Sequence, residues 1–308
     1  MILLLESVHP DALALLEEDD AVRHDESGQV DPLWAEDVRA VVTRGRGRVD
    51  RSTMGALPNL DVVARCGAGL DNIDVDEARA RGIRVVHAPG VTDGAVAEAA
   101  VLLMLALARR LPELAAATAV GNWTVREGYE GVELGGRTLG VIGLGGIGSR
   151  VAELGTALGM DVVCTTRSDR PVPYRRLPLH ELLARSDVVQ ICVPLTPETR
   201  GLLGVVAVQV MKAGALVVNT SRGPIVDHAA IGEAVAAGHL GGYAADVWDP
   251  EPPEPGDALL ASPRTILTPH VAALTDLTYR EICVRASAAA LAVLRGEDPD
   301  PRCVAPPG

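Results

Sequence analysis

The chain has 308 residues, 48% of them hydrophobic, and a formal net charge of −13. That acidic balance excludes a broad nucleic-acid face, so any anionic ligand has to be met by local basic residues and backbone amides. The length is enough for two domains of ordinary size, and with aromatics at 2% and no phenylalanine their cores must be built from Ala, Val and Leu.

The first residues, Met1-Ile2-Leu3-Leu4-Leu5, are apolar, lack a basic lead and soon reach Glu6. They read as a buried first strand rather than a signal peptide. Residues 2–5, 38–43, 62–66 and 84–87 are predicted strands, and 11–18 and 75–81 predicted helices. Strands alternating with helices imply a parallel sheet covered on both faces. Residues 94–114 read as one long helix with little polar surface in its middle, which must be buried between domains or between subunits. The longest apolar run, 99–108, is too short to span a bilayer, so the expectation is a cytoplasmic protein with no membrane contact. Five widely spaced cysteines (Cys66, Cys164, Cys192, Cys283, Cys303) form no CxxC pair, which suggests neither a metal site nor a disulfide framework.

A second unit runs from about residue 136 to 269. Its predicted strands are 139–142, 161–165, 188–192, 215–219, 244–247 and 265–267, with helices that include 179–184 and 229–236. The apolar run 138–142 leads into Gly143-Leu144-Gly145-Gly146-Ile147-Gly148, and 151–158 then has helical periodicity. Strand, glycine turn and helix in that order form a dinucleotide-binding fingerprint. The first glycine allows the turn, the second lets backbone approach a diphosphate, and the third lets helix and strand pack closely. A last helix is predicted over 275–295, followed by a Pro-rich, irregular tail, 298–308. The expected organisation is α/β, two doubly wound parallel-sheet domains: 1–93 with 274–308, and 94–273.

Three later segments carry reactive groups: Asn219-Thr220-Ser221-Arg222-Gly223, Asp246-Val247-Trp248-Asp249-Pro250-Glu251-Pro252, and Thr268-Pro269-His270. Each follows a predicted strand, at the sheet edge where open α/β folds place ligands. This ordering brings Arg222, Glu251 and His270 toward the dinucleotide.

Together with Arg65-Cys66-Gly67-Ala68-Gly69-Leu70-Asp71-Asn72-Ile73-Asp74, Pro194-Leu195-Thr196-Pro197-Glu198-Thr199 and Met211-Lys212-Ala213-Gly214-Ala215, these segments resemble the D-isomer-specific 2-hydroxyacid dehydrogenase family over about residues 41–295. The resemblance implies a flavodoxin-like substrate domain beside a Rossmann dinucleotide-binding domain. It also implies hydride transfer between NAD(P)H and a small 2-keto or 2-hydroxy acid. In that chemistry a planar arginine fork meets the carboxylate and carbonyl, which is the role assigned to Arg222. An imidazole gives and takes the proton, the role of His270, and Glu251 orients it. Ala68 and Gly69 of the small-residue loop are assigned to the substrate carboxylate, with Asp71 and Asn72 stabilising the loop. Gly143, Gly145, Gly146, Ile147 and Gly148 would hold the diphosphate. Val193, Pro194 and Thr220 would border the nicotinamide and its ribose, Thr199 and Ser221 would also bind the cofactor, and Asp246 would fix the carboxamide. Cys192 stands where many relatives have histidine.

Thr166 occupies the place where NAD-dependent relatives usually carry an aspartate for the ribose 2′-hydroxyl. Thr166, Arg167 and Ser168, with Arg170 in support, would welcome a 2′-phosphate, which favours NADP(H). NAD(H) remains the alternative, with Asp169 serving the ribose. Arg44 resembles in position an arginine that meets the substrate phosphate in phosphoglycerate dehydrogenases. The run Arg44-Gly45-Arg46-Gly47-Arg48 reads equally as a second anion site or as a solvated basic turn. With no regulatory domain expected after Arg295, hydroxypyruvate or glyoxylate is the favoured substrate. A phosphorylated or phosphonylated hydroxy acid, phosphite, and a non-catalytic dinucleotide-sensing role are the alternatives. The resemblance further implies a homodimer formed through the nucleotide-binding domains, with residues 95–108 and Gly121-Asn122-Trp123 as contact material. No metal is expected.

Overall fold

The computed structural model describes residues 1–25, 33–167, 169–257 and 259–306. The chain divides into two compact units, Met1–Thr92 with Leu274–Gly308, and Asp93–Ala273. The first contains β1 (Ile2–Leu4), α1 (Pro10–Glu17), β2 (Val22–His24), β3 (Ala40–Thr43), α2 (Arg51–Gly55), β4 (Val62–Arg65), α3 (Val75–Ala80) and β5 (Arg84–His87). Its five strands pair in the order β2-β1-β3-β4-β5, all parallel. Successive side chains fall on opposite faces. Ile2, Leu4, Val42 and Ala64 enter one core while Leu3, Val41 and Val63 enter the other. This two-sided burial is why these strands read as continuous apolar runs. Asp50 and Asp74 cap α2 and α3 by accepting from the first free amides, as short acidic side chains do at helix starts.

The second unit contains α4 (Asp93–Ala108), α5 (Leu111–Ala119), β6 (Thr138–Ile142), α6 (Gly146–Ala157), β7 (Asp161–Thr165), β8 (Arg175–Arg176), α7 (Leu179–Arg185), β9 (Val188–Ile191), α8 (Val205–Gln209), β10 (Ala215–Asn219), α9 (His228–Ala236), β11 (Leu240–Ala245) and β12 (Thr265–Leu267). The seven strands pair in the order β12-β11-β10-β9-β6-β7-β8, all parallel. The last helix, α10 (Asp276–Leu294), returns to the first unit and buries Ile282, Cys283, Ala286 and Ala290 with β3 and β4 residues.

Several elements differ from the sequence reading. The single helix expected over 94–114 is two. Arg110 takes a left-handed φ of 52° between them, because Pro112 inside a continuous helix would clash with the carbonyl of Ala108. Nor is α4 buried all round within the chain. Ala97, Ala100 and Met104 are enclosed, but Leu102 is 63% exposed. The strand expected over 244–247 is β11, which begins earlier at Leu240. Its start is disguised by Gly241 and Gly242, and a Cβ at Gly242 would meet Arg264 and Leu107 within 2.7 Å. The tail is not irregular throughout. Residues Pro301–Cys303 form a 3₁₀ turn, Val304 bridges Val86, and the Ala305 N–H donates to the Val85 carbonyl at 2.9 Å.

Candidate dinucleotide and catalytic site

In the second unit the chain starts the sheet at β6 and builds outward in both directions, so the strand order reverses between β6 and β9. Ligands of such sheets bind in the crevice outside the strand ends at this reversal. The glycine turn lies there. Gly143 has φ of +92°, and a Cβ on it would lie 2.6 Å from the Cys192 carbonyl oxygen and 2.7 Å from Val193 Cγ1. A Cβ on Gly148 would lie 2.0 Å from the Gly143 carbonyl oxygen. Gly145 is the N-cap of α6, has no side-chain capping bond, and has open space around it. The first amides of α6, with their share of the helix dipole, are therefore presented beside a backbone that carries no side chains. This arrangement fits a dinucleotide diphosphate.

The turn is bordered by the ends of β7, β9 and β10. Thr166 and Arg167 follow β7, Arg167 is exposed, and its charge acts on the Glu198 carboxylate. Ser168 lies outside the described residues. Arg170 donates to the Leu144 carbonyl within the turn. Asp169 is fully exposed and pairs with Arg176 at 3.4 Å. After β9, the Thr199 hydroxyl donates to the Pro194 carbonyl and accepts the Thr196 N–H, both at 2.7 Å, which holds the Val193-Pro194 segment in a tight turn. After β10, Gln190 donates to the Thr220 hydroxyl at 3.0 Å, and the Ser221 hydroxyl donates to the Ile191 carbonyl at 3.0 Å. Burial pushes the Cys192 thiol up to about 12, so it stays protonated and has no nucleophilic role.

Arg222, Glu251 and His270 are all in this unit. The Asn219 side chain bridges Ser221 N–H (3.0 Å) and the Arg222 carbonyl (2.9 Å), which shapes the turn that presents Arg222. Gly223 lets this segment touch the next one, since a Cβ there would lie 2.0 Å from the Trp248 carbonyl oxygen. Glu251 accepts the Trp248 N–H on Oε1 at 2.9 Å and meets His270 Nδ1 through Oε2 at 2.8 Å. Burial alone would raise the Glu251 carboxyl. The hydrogen bond and charge of His270, the Trp248 amide and the charge of Arg222 outweigh it and hold the group below the usual carboxylate range. An ionised Glu251 accepts a hydrogen bond from Nδ1–H, which leaves the exchangeable imidazole position at Nε2. His270 itself has φ of +57°, an uncommon conformation held by Asp246. Asp246 Oδ1 accepts from Thr268 Oγ1 (2.5 Å) and Val271 N–H (2.9 Å), and Oδ2 from Ala272 N–H (2.8 Å). The sequence had placed Asp246 with the cofactor; both of its oxygens also shape the His270 loop.

The first unit carries the remaining sequence candidates. The Gly67 carbonyl accepts the Ala88 N–H at 2.9 Å, and the Ala68 carbonyl meets His87 Nδ1 at 2.8 Å. Across a trans peptide the N–H points opposite to the preceding carbonyl, so the Ala68 and Gly69 amides face away from these partners. The arginine loop wraps a carboxylate of its own chain, with Arg46 and Arg48 exposed. The amides of Arg44, Gly45, Arg46 and Gly47 all donate to Glu6 Oε1 at 2.8–3.0 Å. Arg44 lies over the Tyr279 ring at 5.3 Å. Asn72 donates to the Gly47 carbonyl at 2.7 Å, so it supports this loop rather than the one it adjoins. Glu6 was not singled out from sequence. The available signal was an acid placed directly after an apolar strand.

Among the described residues, no helix is long and apolar enough to cross a membrane. A family model for the D-isomer specific 2-hydroxyacid dehydrogenase NAD-binding domain matches residues 101–272. The chain belongs to that family. The D-3-phosphoglycerate dehydrogenase of Archaeoglobus fulgidus is 43% identical to this chain over 242 residues, 77% of this chain but 46% of that protein. The chain thus spans about half the length of this curated relative. The glyoxylate reductase of Aeropyrum pernix is 38% identical over 276 residues, 86% of this chain and 82% of that protein. Among solved structures, the TT0316 protein of Thermus thermophilus superposes with a TM-score of 0.91 at 37% identity over 99% of both chains. The two parallel-sheet units are the fold of these 2-hydroxyacid dehydrogenases.

Proposed function

We propose that the chain transfers a hydride between a nicotinamide dinucleotide, NADP(H) in preference to NAD(H), and a small 2-hydroxy acid, the D-isomer where the acid is chiral, such as those formed from hydroxypyruvate or glyoxylate. The observation that carries the reading is the Glu251–His270 pair at 2.8 Å, under the charge of Arg222, in the unit that bears the dinucleotide turn. The bound nicotinamide supplies or accepts the hydride. Arg222 meets the substrate carboxylate and the carbonyl oxygen with its planar donor fork. His270 delivers a proton from Nε2 to that oxygen as it becomes a hydroxyl. Glu251 holds Nδ1–H and stabilises the imidazolium. Ala68 and Gly69 offer backbone amides to the substrate carboxylate.

The cofactor preference is supported by charge. No carboxylate ends β7; Thr166 and Arg167 stand there, and a 2′-phosphate needs hydroxyl and cationic partners rather than an acid. The substrate class is supported by Glu6. Its Oε1 occupies the amides of residues 44–47, and its Oε2 lies 3.8 Å from Arg44 Nε and 3.6 Å from Arg46 Nε. This charge weakens the loop as a second anion site, which favours a plain 2-keto acid over a phosphorylated one.

The deciding measurement is steady-state oxidation of NADPH and of NADH with glyoxylate, hydroxypyruvate and phosphohydroxypyruvate, and reduction of both oxidised dinucleotides with phosphite. The expected outcome is the highest kcat/KM for a plain 2-keto acid with NADPH. His270→Ala is expected to lower kcat by about 10²-fold or more while dinucleotide binding persists. A clear NADH preference refutes the cofactor assignment. Turnover of phosphohydroxypyruvate or phosphite alone refutes the substrate assignment, and dinucleotide binding without any turnover identifies a sensor.

A further inference from the structure

The diphosphate end of the glycine turn carries a charged group that the catalytic reading does not use. Gly146 opens α6, and a Cβ built on it would lie 1.8 Å from Asp93 Oδ2 and 2.6 Å from Asp93 Cγ. The Asp93 carboxylate therefore lies across the first turn of α6, in the space that a side chain at position 146 would take. Its position is set by rigid parts. Asp93 is the first residue of α4, and Ala97, Ala100 and Met104 of α4 share a buried core with Val151 and Ala152 of α6. The N-cap of α6 is Gly145, which supplies no capping side chain, and α6 has no acidic residue in its first turn, so it is Asp93 that brings a carboxylate to the positive end of this helix dipole. Burial pushes the Asp93 carboxyl up, opposed in part by the charge of Arg150 on α6. Arg150 is itself paired with Glu153 at 2.8 Å.

A dinucleotide diphosphate is drawn to the same turn by the same amides and the same dipole. Two anions at one helix N-terminus repel each other. We propose that Asp93 sets the dinucleotide affinity: its carboxylate is a built-in competitor of the diphosphate at the N-terminal turn of α6. Gly146 is the residue that makes room for it. The inference rests on the dinucleotide reading of the turn. The diphosphate is common to the oxidised and reduced forms and to NAD and NADP, so the effect is the same for all four. It weakens holding of the dinucleotide without distinguishing its redox state, and so favours release of the spent form.

The test is calorimetric titration of the full chain, wild type, Asp93→Asn and Asp93→Ser, with NADPH, ADP and adenosine. Circular dichroism and Tm verify that each variant is folded, and the serine variant stands in if the asparagine one is not. The expected result is about tenfold tighter binding of NADPH and ADP by the variants, roughly 1.4 kcal/mol, with adenosine unchanged. Unchanged or weaker ADP binding in the folded variants overturns the proposal. Tightening of adenosine to the same degree also overturns it, because the effect would then lie outside the diphosphate. If neither wild type nor variants bind ADP or NADPH, the dinucleotide reading fails and the proposal with it.

Discussion

Glu6 gathers four amide donors and the Thr43 hydroxyl on a single carboxylate oxygen, all within 3.0 Å. Burial alone would raise its carboxyl, but the amides of Gly45, Gly47 and Arg44 and the Thr43 hydroxyl bring it down to about 2 from the usual 4.5. A folded-state value below the unfolded one stabilises the protein above the unfolded value, and that stability is lost as pH falls through the folded one. The window is therefore about pH 4.5 down to 2, and the contribution at neutral pH is about 3 kcal/mol. Glu6→Gln is expected to cost most of this at pH 7 and little near pH 2, as read by urea denaturation across the range. Parallel stability curves for the two proteins would refute the assignment. The same residue shows how legibility ends at a single side chain. An acid after an apolar strand is visible in the sequence, but its partners lie 37 to 41 positions away and become neighbours only because β1 pairs with β3. The motifs that carry Arg222, Glu251 and His270 were legible because each follows a predicted strand. The grip of Asp246 on Val271 was not, since it crosses 25 residues.

At the scale of elements, the glycine turn separates folding from binding. Gly148→Ala puts a methyl group 2.0 Å from a backbone oxygen that cannot yield without moving β6 or α6. The expected cost is about 1–3 kcal/mol of stability together with loss of dinucleotide binding. Gly145 has an ordinary φ of −76° and open space around it. Gly145→Ala is therefore expected to keep its Tm and still bind NADPH at least about tenfold more weakly, because the methyl group stands where backbone must approach the diphosphate. A variant at 145 that binds normally would show that the diphosphate does not lie over this turn. β7, β10 and β12 could be read to the residue, β10 because a strand buried on both faces is a nearly uninterrupted apolar run, β7 and β12 from their short apolar centres. β2 and β8 could not. Arg23, His24, Arg175 and Arg176 are exposed on edge strands and leave no hydrophobic pattern. The break between α4 and α5 was signalled by Pro112, but the surrounding apolar periodicity concealed it.

For the whole molecule, the first unit is discontinuous in sequence, and α10 supplies one side of its core. Removal of α10 is thus the removal of a core layer rather than of a tail. Apolar side chains are exposed along consecutive elements of the second unit, with Leu102, Leu111, Val120 and Trp123 each more than half exposed. Solvated surfaces seldom carry such a series, and the proposed homodimer would cover it. Sedimentation is expected to give twice the 32.1 kDa chain mass, and Leu102→Glu combined with Trp123→Ala to shift it toward the monomer. A monomeric wild type would refute the proposal.

The amino-acid sequence by itself determined the parallel α/β class and the dinucleotide turn, and it carried the motifs from which the reacting side chains are proposed. Each of these is written locally, as an apolar run, a glycine spacing or a polar residue at a strand end. Only the tertiary structure decided that Glu6 fills the arginine loop, that Asp246 shapes the histidine loop, and that Asp93 leans over Gly146. These depend on which strands become neighbours and which helices pack together. Periodicity records that a face is buried and carries no record of what lies against it.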